Sequence, residues 1–175
     1  MKKNLFVIEF IGLTFTAVLG TILHFLYEWT GLKGLAVISA VNESTWEHMK
    51  LVFVPYFIFA VAQSFFNKDY NNFWFIKLIG ILTSTISIPI LFYTLTGSFG
   101  TLSAVVNIII FFVSVFNGYF LEIYLFNKIK GKKWLEWISV AVIIAIFILF
   151  IIFTFYPPKI PLFLHPVTKG YVITK

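Results

Sequence analysis

The chain has no cysteine and no arginine, and Asp69 is its one aspartate. Without cysteine there is no disulfide framework, no thiolate nucleophile and no thiolate metal site. Charge is scarce, at 11% of 175 residues. The basic side is lysine alone, thirteen residues scattered at segment ends rather than gathered on one helix face, which sets nucleic acid aside despite the +6 balance. Phosphate-cradling and nucleophile motifs are missing too. Gly97-Ser98-Phe99-Gly100 reads as a tight turn, without the length or lysine of a P-loop, and there is no G-x-S-x-G elbow or dinucleotide fingerprint.

What is abundant is apolar surface. Hydrophobic residues make up 60% of the chain, and phenylalanine alone supplies 23 positions. Soluble domains average about 45–50% apolar, and one this small exposes too much surface to hide the excess. The composition specifies an all-α, polytopic transmembrane bundle in a cell membrane.

A spanning helix takes about 20 apolar residues. Five segments reach that length, over about 5–27, 44–66, 73–95, 101–126 and 134–156. Between the first two, Leu32–Val41 is too short to span and is expected to be interfacial or re-entrant. Pro157-Pro158 ends the fifth segment before a tail over 157–175. Met1-Lys2-Lys3 mimics the start of a signal peptide, but no small-x-small cleavage site follows, so a retained first helix is expected. No repeat or linker divides the chain, which reads as one domain over 1–175.

Orientation follows from the lysines. One side (N-terminus and loops 2–3 and 4–5) holds Lys2, Lys3, Lys68, Lys77, Lys128, Lys130, Lys132 and Lys133. The other holds Lys33, Lys50, Lys159, Lys169 and Lys175. The positive-inside rule then expects a cytoplasmic N-terminus and an outer C-terminal tail. Glu9 and Glu122, near the cytoplasmic ends, are expected to pair with Lys2, Lys3 or Lys128. Helix 5, bracketed by Trp134, Trp137 and Tyr156, reads as lipid-facing, whereas the serines, threonines, Asn107, Asn117 and Gly118 of helices 3 and 4 suit close packing.

The remaining polar residues gather at the outer end. His24 and Glu28 lie four residues apart on one face of helix 1. Asn42, Glu43, Ser44, Trp46, Glu47 and His48 open helix 2 at the same level, Tyr93 ends helix 3 there, Asn107 begins helix 4 there, and His165 lies in the tail. Ser44-Thr45-Trp46-Glu47 fits a capping box, in which serine and glutamate satisfy the first amides of a helix. A capping box explains neither Trp46 nor His48. His24, Glu43, Glu47 and His48 supply the imidazole and carboxylate donors of a divalent metal such as zinc. Capping and ligation both remain open for the glutamates.

Val41-Asn42-Glu43-Ser44-Thr45-Trp46-Glu47-His48-Met49-Lys50, ahead of an apolar helix with Pro55, resembles the signature of a family of small bacterial membrane proteins classed as a domain of unknown function. The tail Pro161-Leu162-Phe163-Leu164-His165-Pro166-Val167-Thr168-Lys169-Gly170-Tyr171 resembles that family's C-terminal pattern, with His165 where an aspartate is expected. That departure argues against His165 as an obligatory ligand. The resemblance implies membrane location and topology, and no activity.

Three functions stay open on sequence. One is an outward-facing metal site, hydrolase-like, acting on a lipid or other small substrate. Another is a small-solute transporter or the substrate-binding subunit of a larger one. The third is a structural partner for another membrane protein.

Overall fold

The computed structural model describes residues 2–66, 72–129, 132–166 and 168–171. Its helices are α1 (Lys2–Thr30), α2 (Thr45–Ser64), α3 (Phe73–Phe99), α4 (Ala104–Phe126) and α5 (Lys133–Phe155), with short 3-10 turns at Lys33–Val37 and Pro161–Phe163. Among the described residues there is no strand. Lys68, Asp69, Lys130, Val167 and Lys175 lie outside the described residues.

Four helices, α1, α3, α4 and α5, are long and apolar enough to cross a membrane, and the chain is a helical membrane protein. The fifth, α2, opens on Glu47, His48 and Lys50, which lower its hydropathy, yet it covers the same depth as its neighbours. Its first turns meet the C-terminal end of α1, where Glu43 lies 3.8 Å from His24. Its last turn meets the N-terminal end of α1, where Gln63 bonds Glu9 at 2.7 Å. The reason α2 tolerates polar residues is its place at the centre. Lys50, Val52, Phe53 and Tyr56 are all fully buried.

The outer helices bury one face and present the other outward. On α1, Phe6, Phe10, Val18 and Trp29 are exposed, while Glu9, Thr16 and Leu23 point inward. Exposed apolar stripes of this kind are what lipid contact requires. Trp134, Trp137 and Tyr156 are exposed at the two ends of α5, as in an interfacial aromatic belt.

Two boundaries differ from the sequence reading. Helix α3 continues to Phe99, one turn beyond the expected end, and Gly100 terminates it at φ 81 with its N–H on the Thr96 carbonyl. That left-handed conformation suits glycine, so the expected tight turn is the end of the helix. The segment after α1 folds back along it. Ser39 Oγ accepts from the Tyr27 amide and donates to the Leu23 carbonyl, and Ala36, Tyr27 and Val41 form a small buried cluster.

Helices α3 and α4 share the most extensive helix–helix contact in the bundle. Gly118 makes it possible, since a methyl there would overlap Ser84 Oγ and the Gly80 carbonyl. Small residues let helix backbones approach and gain dispersion contacts that lipid cannot supply.

Candidate functional site

Ser44 is the N-cap of α2, in extended conformation, and its side chain accepts from the Glu47 amide at 3.4 Å. Asn42 sets up that cap, its Oδ1 accepting from the Ser44 amide at 2.9 Å. The capping reading of Ser44 therefore holds. Its consequence is that the residues around the cap diverge. Glu43, just before the helix, and His48, one turn in, face α1, while Trp46 and Glu47 face α5.

On the α1 side, His24, Glu43 and His48 converge, with one donor atom from each within 4.8 Å of the others. Nε2 of His24 and Nε2 of His48 lie 3.8 and 3.7 Å from the same oxygen, Glu43 Oε2. The two imidazoles sit 5.4 Å apart, centroid to centroid. His48 Nδ1 is 2.9 Å from the Ser44 carbonyl, which can only accept, so Nδ1 carries a proton. In the neutral ring Nε2 is then an acceptor, facing a carboxylate that is also an acceptor, at a separation too long for a hydrogen bond. A bridging water, a cation between the two atoms or a proton on the ring reconciles them. Bonds of about 2.0–2.1 Å around a tetrahedral zinc put ligand atoms about 3.4 Å apart, so the two imidazole–carboxylate spacings need little closure. Two histidines and one glutamate are also a known donor set for zinc sites that keep a fourth position open.

On the α5 side, Glu47 is fully engaged. Lys50 Nζ lies 2.6 Å from Glu47 Oε2 and also donates to the Ala36 carbonyl at 2.8 Å and Thr154 Oγ1 at 2.9 Å. Glu47 further accepts from the Val41 amide and the Thr154 hydroxyl. The lysine thus uses all three of its donors in a neutral pair, and Glu47 stands apart from the three converging residues. Trp46 packs among Phe150, Phe153 and Phe163, joining α2 to α5 and the tail.

A cavity of about 550 Å³ opens beside the cluster. Glu43 and His48 form part of its wall, together with Tyr93 and Asn107. Ile88, Phe92, Ile110 and Phe111 make the wall largely apolar, and Pro161, Leu164, Pro166 and Lys169 of the tail cover one side. Among the described residues, Thr96 Oγ1 and Asn107 Oδ1 are shielded from water and have no hydrogen-bond partner. A pocket of this size, apolar with a few convergent polar groups, has the character of a small-molecule site.

Two predicted residues lie elsewhere. Glu28 is exposed at the end of α1. His165 is buried in the tail, where its Nδ1 accepts from the Thr168 amide and its backbone pairs with Lys169 and Gly170. It shapes the turn that brings Lys169, at φ 54, to the cavity.

Glu9 and Glu122 do not pair with Lys128, and the side chains of Lys2 and Lys3 lie outside the described ones. Both glutamates bond Lys77, at 2.8 and 2.6 Å, and all three side chains are fully buried. The sequence reading missed this cluster because Lys77 was counted with the loop lysines. The available signal was depth, since Glu9, Lys77 and Glu122 each lie about one or two turns inside a helix end.

Neither curated proteins nor solved structures gave a match to this chain. The model of a family of unknown function (DUF6512) matches residues 2–173, and the chain belongs to that family.

Proposed function

We propose that this protein binds a divalent cation of the zinc class through His24, Glu43 and His48, and uses it to hold a small ligand in the adjoining cavity. The observation that carries the reading is the pair of imidazole nitrogens 3.7–3.8 Å from one carboxylate oxygen, on the wall of that cavity. The open coordination position would face the cavity and take an oxygen of the ligand. Lys169 offers a charge complement to an anionic head, and the apolar wall accepts an aliphatic body. The ligand class is therefore a small amphipathic molecule or lipid with an oxygen-bearing head group.

Binding is favoured over hydrolysis by the inventory of the cavity. Glu43 is the one carboxylate among the described residues that line it, and the metal would use it. A metal-dependent hydrolase needs a further base to handle protons. Orientation belongs to the same reading. With Lys77 and Lys50 buried in ion pairs, seven lysines against four still favour a cytoplasmic N-terminus, which supports reading the cavity as one of the outer face.

Calorimetric titration of purified protein in lipid nanodiscs with zinc tests the proposal. One saturable site is expected in the wild type, with affinity lowered at least about tenfold in Glu43→Gln and in His48→Gln. Equal binding by the wild type and both variants would overturn it.

A further inference from the structure

The buried cluster at the opposite end of the bundle is not explained by the cavity. It contains two carboxylates and one ammonium, contributed by α1, α3 and α4. Gln63 of α2 donates to Glu9 Oε1 at 2.7 Å. Tyr56 of α2 and Tyr119 of α4 stack at 4.0 Å, and Tyr119 shares a 2.8 Å hydrogen bond with Thr16. The rings of Tyr56, Phe59, Phe73, Tyr119 and Phe126 surround Lys77 Nζ at 5.4–5.9 Å. Among the described residues the titratable groups facing the cluster are Glu9 from α1, Tyr56 from α2, Lys77 from α3, and Tyr119 and Glu122 from α4. Among the described residues α5 adds no bond to it; its Glu136 accepts instead from the Trp74 amide.

The charges do not balance. With all three groups ionised the cluster would carry one net negative charge, enclosed by aromatic rings and cut off from water. An uncompensated buried charge is among the most costly features a protein can hold. The hydrogen bonding is unbalanced in the same direction. Among the described residues, Glu122 Oε1, Gln63 Oε1 and the Tyr56 hydroxyl lack a well-formed hydrogen bond, although each residue is almost wholly buried. Gln63 Oε1 and an ionised Glu122 Oε1 can only accept, and the single Tyr56 O–H can satisfy just one of them, so one donor is short.

We infer that the Glu9–Lys77–Glu122 cluster is a proton-binding site, in which one proton shared by the two carboxyls supplies both the missing charge and the missing donor. Lys77 is the fixed counter-charge. Protonation makes the cluster neutral, and the new O–H can donate to Tyr56 or Gln63. The cluster lies one helical turn, about 6 Å, from the near ends of α3 and α4 and two turns, about 10 Å, from that of α1, next to the buried group Leu5, Phe73, Ile76 and Phe126. Among the described residues this apolar group lies between the cluster and the adjacent end of the bundle, and its opening would exchange the proton with that side.

Infrared spectroscopy of wild-type protein in nanodiscs reads the proton directly. The expected result near neutral pH is a carbonyl stretch from a protonated carboxyl, shifted in heavy water and lost in Glu122→Gln or Glu9→Gln, whose amides imitate the protonated acid. Lys77→Met removes the counter-charge and should roughly double the band, because each carboxyl then needs its own proton. Absence of any protonated-carboxyl band in the wild type would overturn the inference, whatever the variants do. So would a band that persists unchanged in both glutamine variants.

Discussion

The two ends of the bundle treat charge in opposite ways. At the end holding α2's first turns, Glu47 and Lys50 form a closed neutral pair, with every lysine donor used. Beside it, His24, Glu43 and His48 remain half-buried next to a cavity, with two imidazole nitrogens 3.7–3.8 Å from one carboxylate oxygen. At the other end two carboxylates share one lysine, and all three side chains are fully buried. On the proposed reading the open end takes a cation from the adjoining cavity. The closed end has to carry its neutralising charge within. A neutral pair thus serves as scaffold, and a charge-unbalanced group marks a site that binds something.

The comparison is broken most severely by removing one member of the scaffold pair. Lys50→Met leaves the Glu47 carboxylate buried without its cation and is expected to cost about 3–5 kcal/mol, read as loss of thermal stability in detergent. The double variant Glu47→Leu with Lys50→Met should recover most of that loss, since no charge is then stranded. A single variant as stable as wild type would show that the pair is not the scaffold described.

Next in size is Gly118→Ala. The added methyl meets Ser84 Oγ and the Gly80 backbone, so α3 and α4 must separate. Overpacking of this kind costs about 1–3 kcal/mol, and thermal melting of the purified variant checks it. Because Glu122 lies one turn from Gly118 on α4, the infrared signature of the closed end should change while zinc binding at the open end is kept. Loss of zinc binding would mean the ends are not independent.

Ser44→Ala sharpens the comparison at the open end. The cap is worth about 1 kcal/mol, and the variant should melt correspondingly lower. It should also weaken zinc binding, because the cap aims Glu43 and His48 at α1. An unchanged zinc affinity would separate the cap from the site. Glu28→Gln has the smallest expected effect. Glu28 is exposed and outside the converging donors, so zinc affinity in the same titration should stay within about twofold, below about 0.5 kcal/mol. A larger loss would place Glu28 among the ligands.

Much of the architecture is legible in the sequence because apolar periodicity and length are local properties. Helix 4, read over about 101–126, runs Ala104–Phe126, and helix 5, read over about 134–156, runs Lys133–Phe155. The Ser44 cap was equally readable, since a capping box involves residues three apart. Which side of α2 each polar residue faces was not. Glu43, Glu47 and His48 look equivalent as donors in a line of text, yet the helix sends Glu47 to Lys50 and Thr154 and the other two to His24. The i, i+3 spacing of Glu47 and Lys50 was a hint of their pairing. Lys77 was misread for a related reason. A lysine near a helix end resembles an orienting charge, and only tertiary packing shows that it points inward, to glutamates 68 and 45 residues away in sequence.

The central claim is that a metal sits between His24, Glu43 and His48, and zinc-edge X-ray absorption of the zinc-loaded protein tests it most directly. The account predicts a first shell of nitrogen and oxygen at about 2.0–2.2 Å, with the outer-shell pattern of two imidazoles, reduced to one in His48→Gln. A spectrum of hydrated zinc without imidazole, or one identical in wild type and His48→Gln, would contradict it.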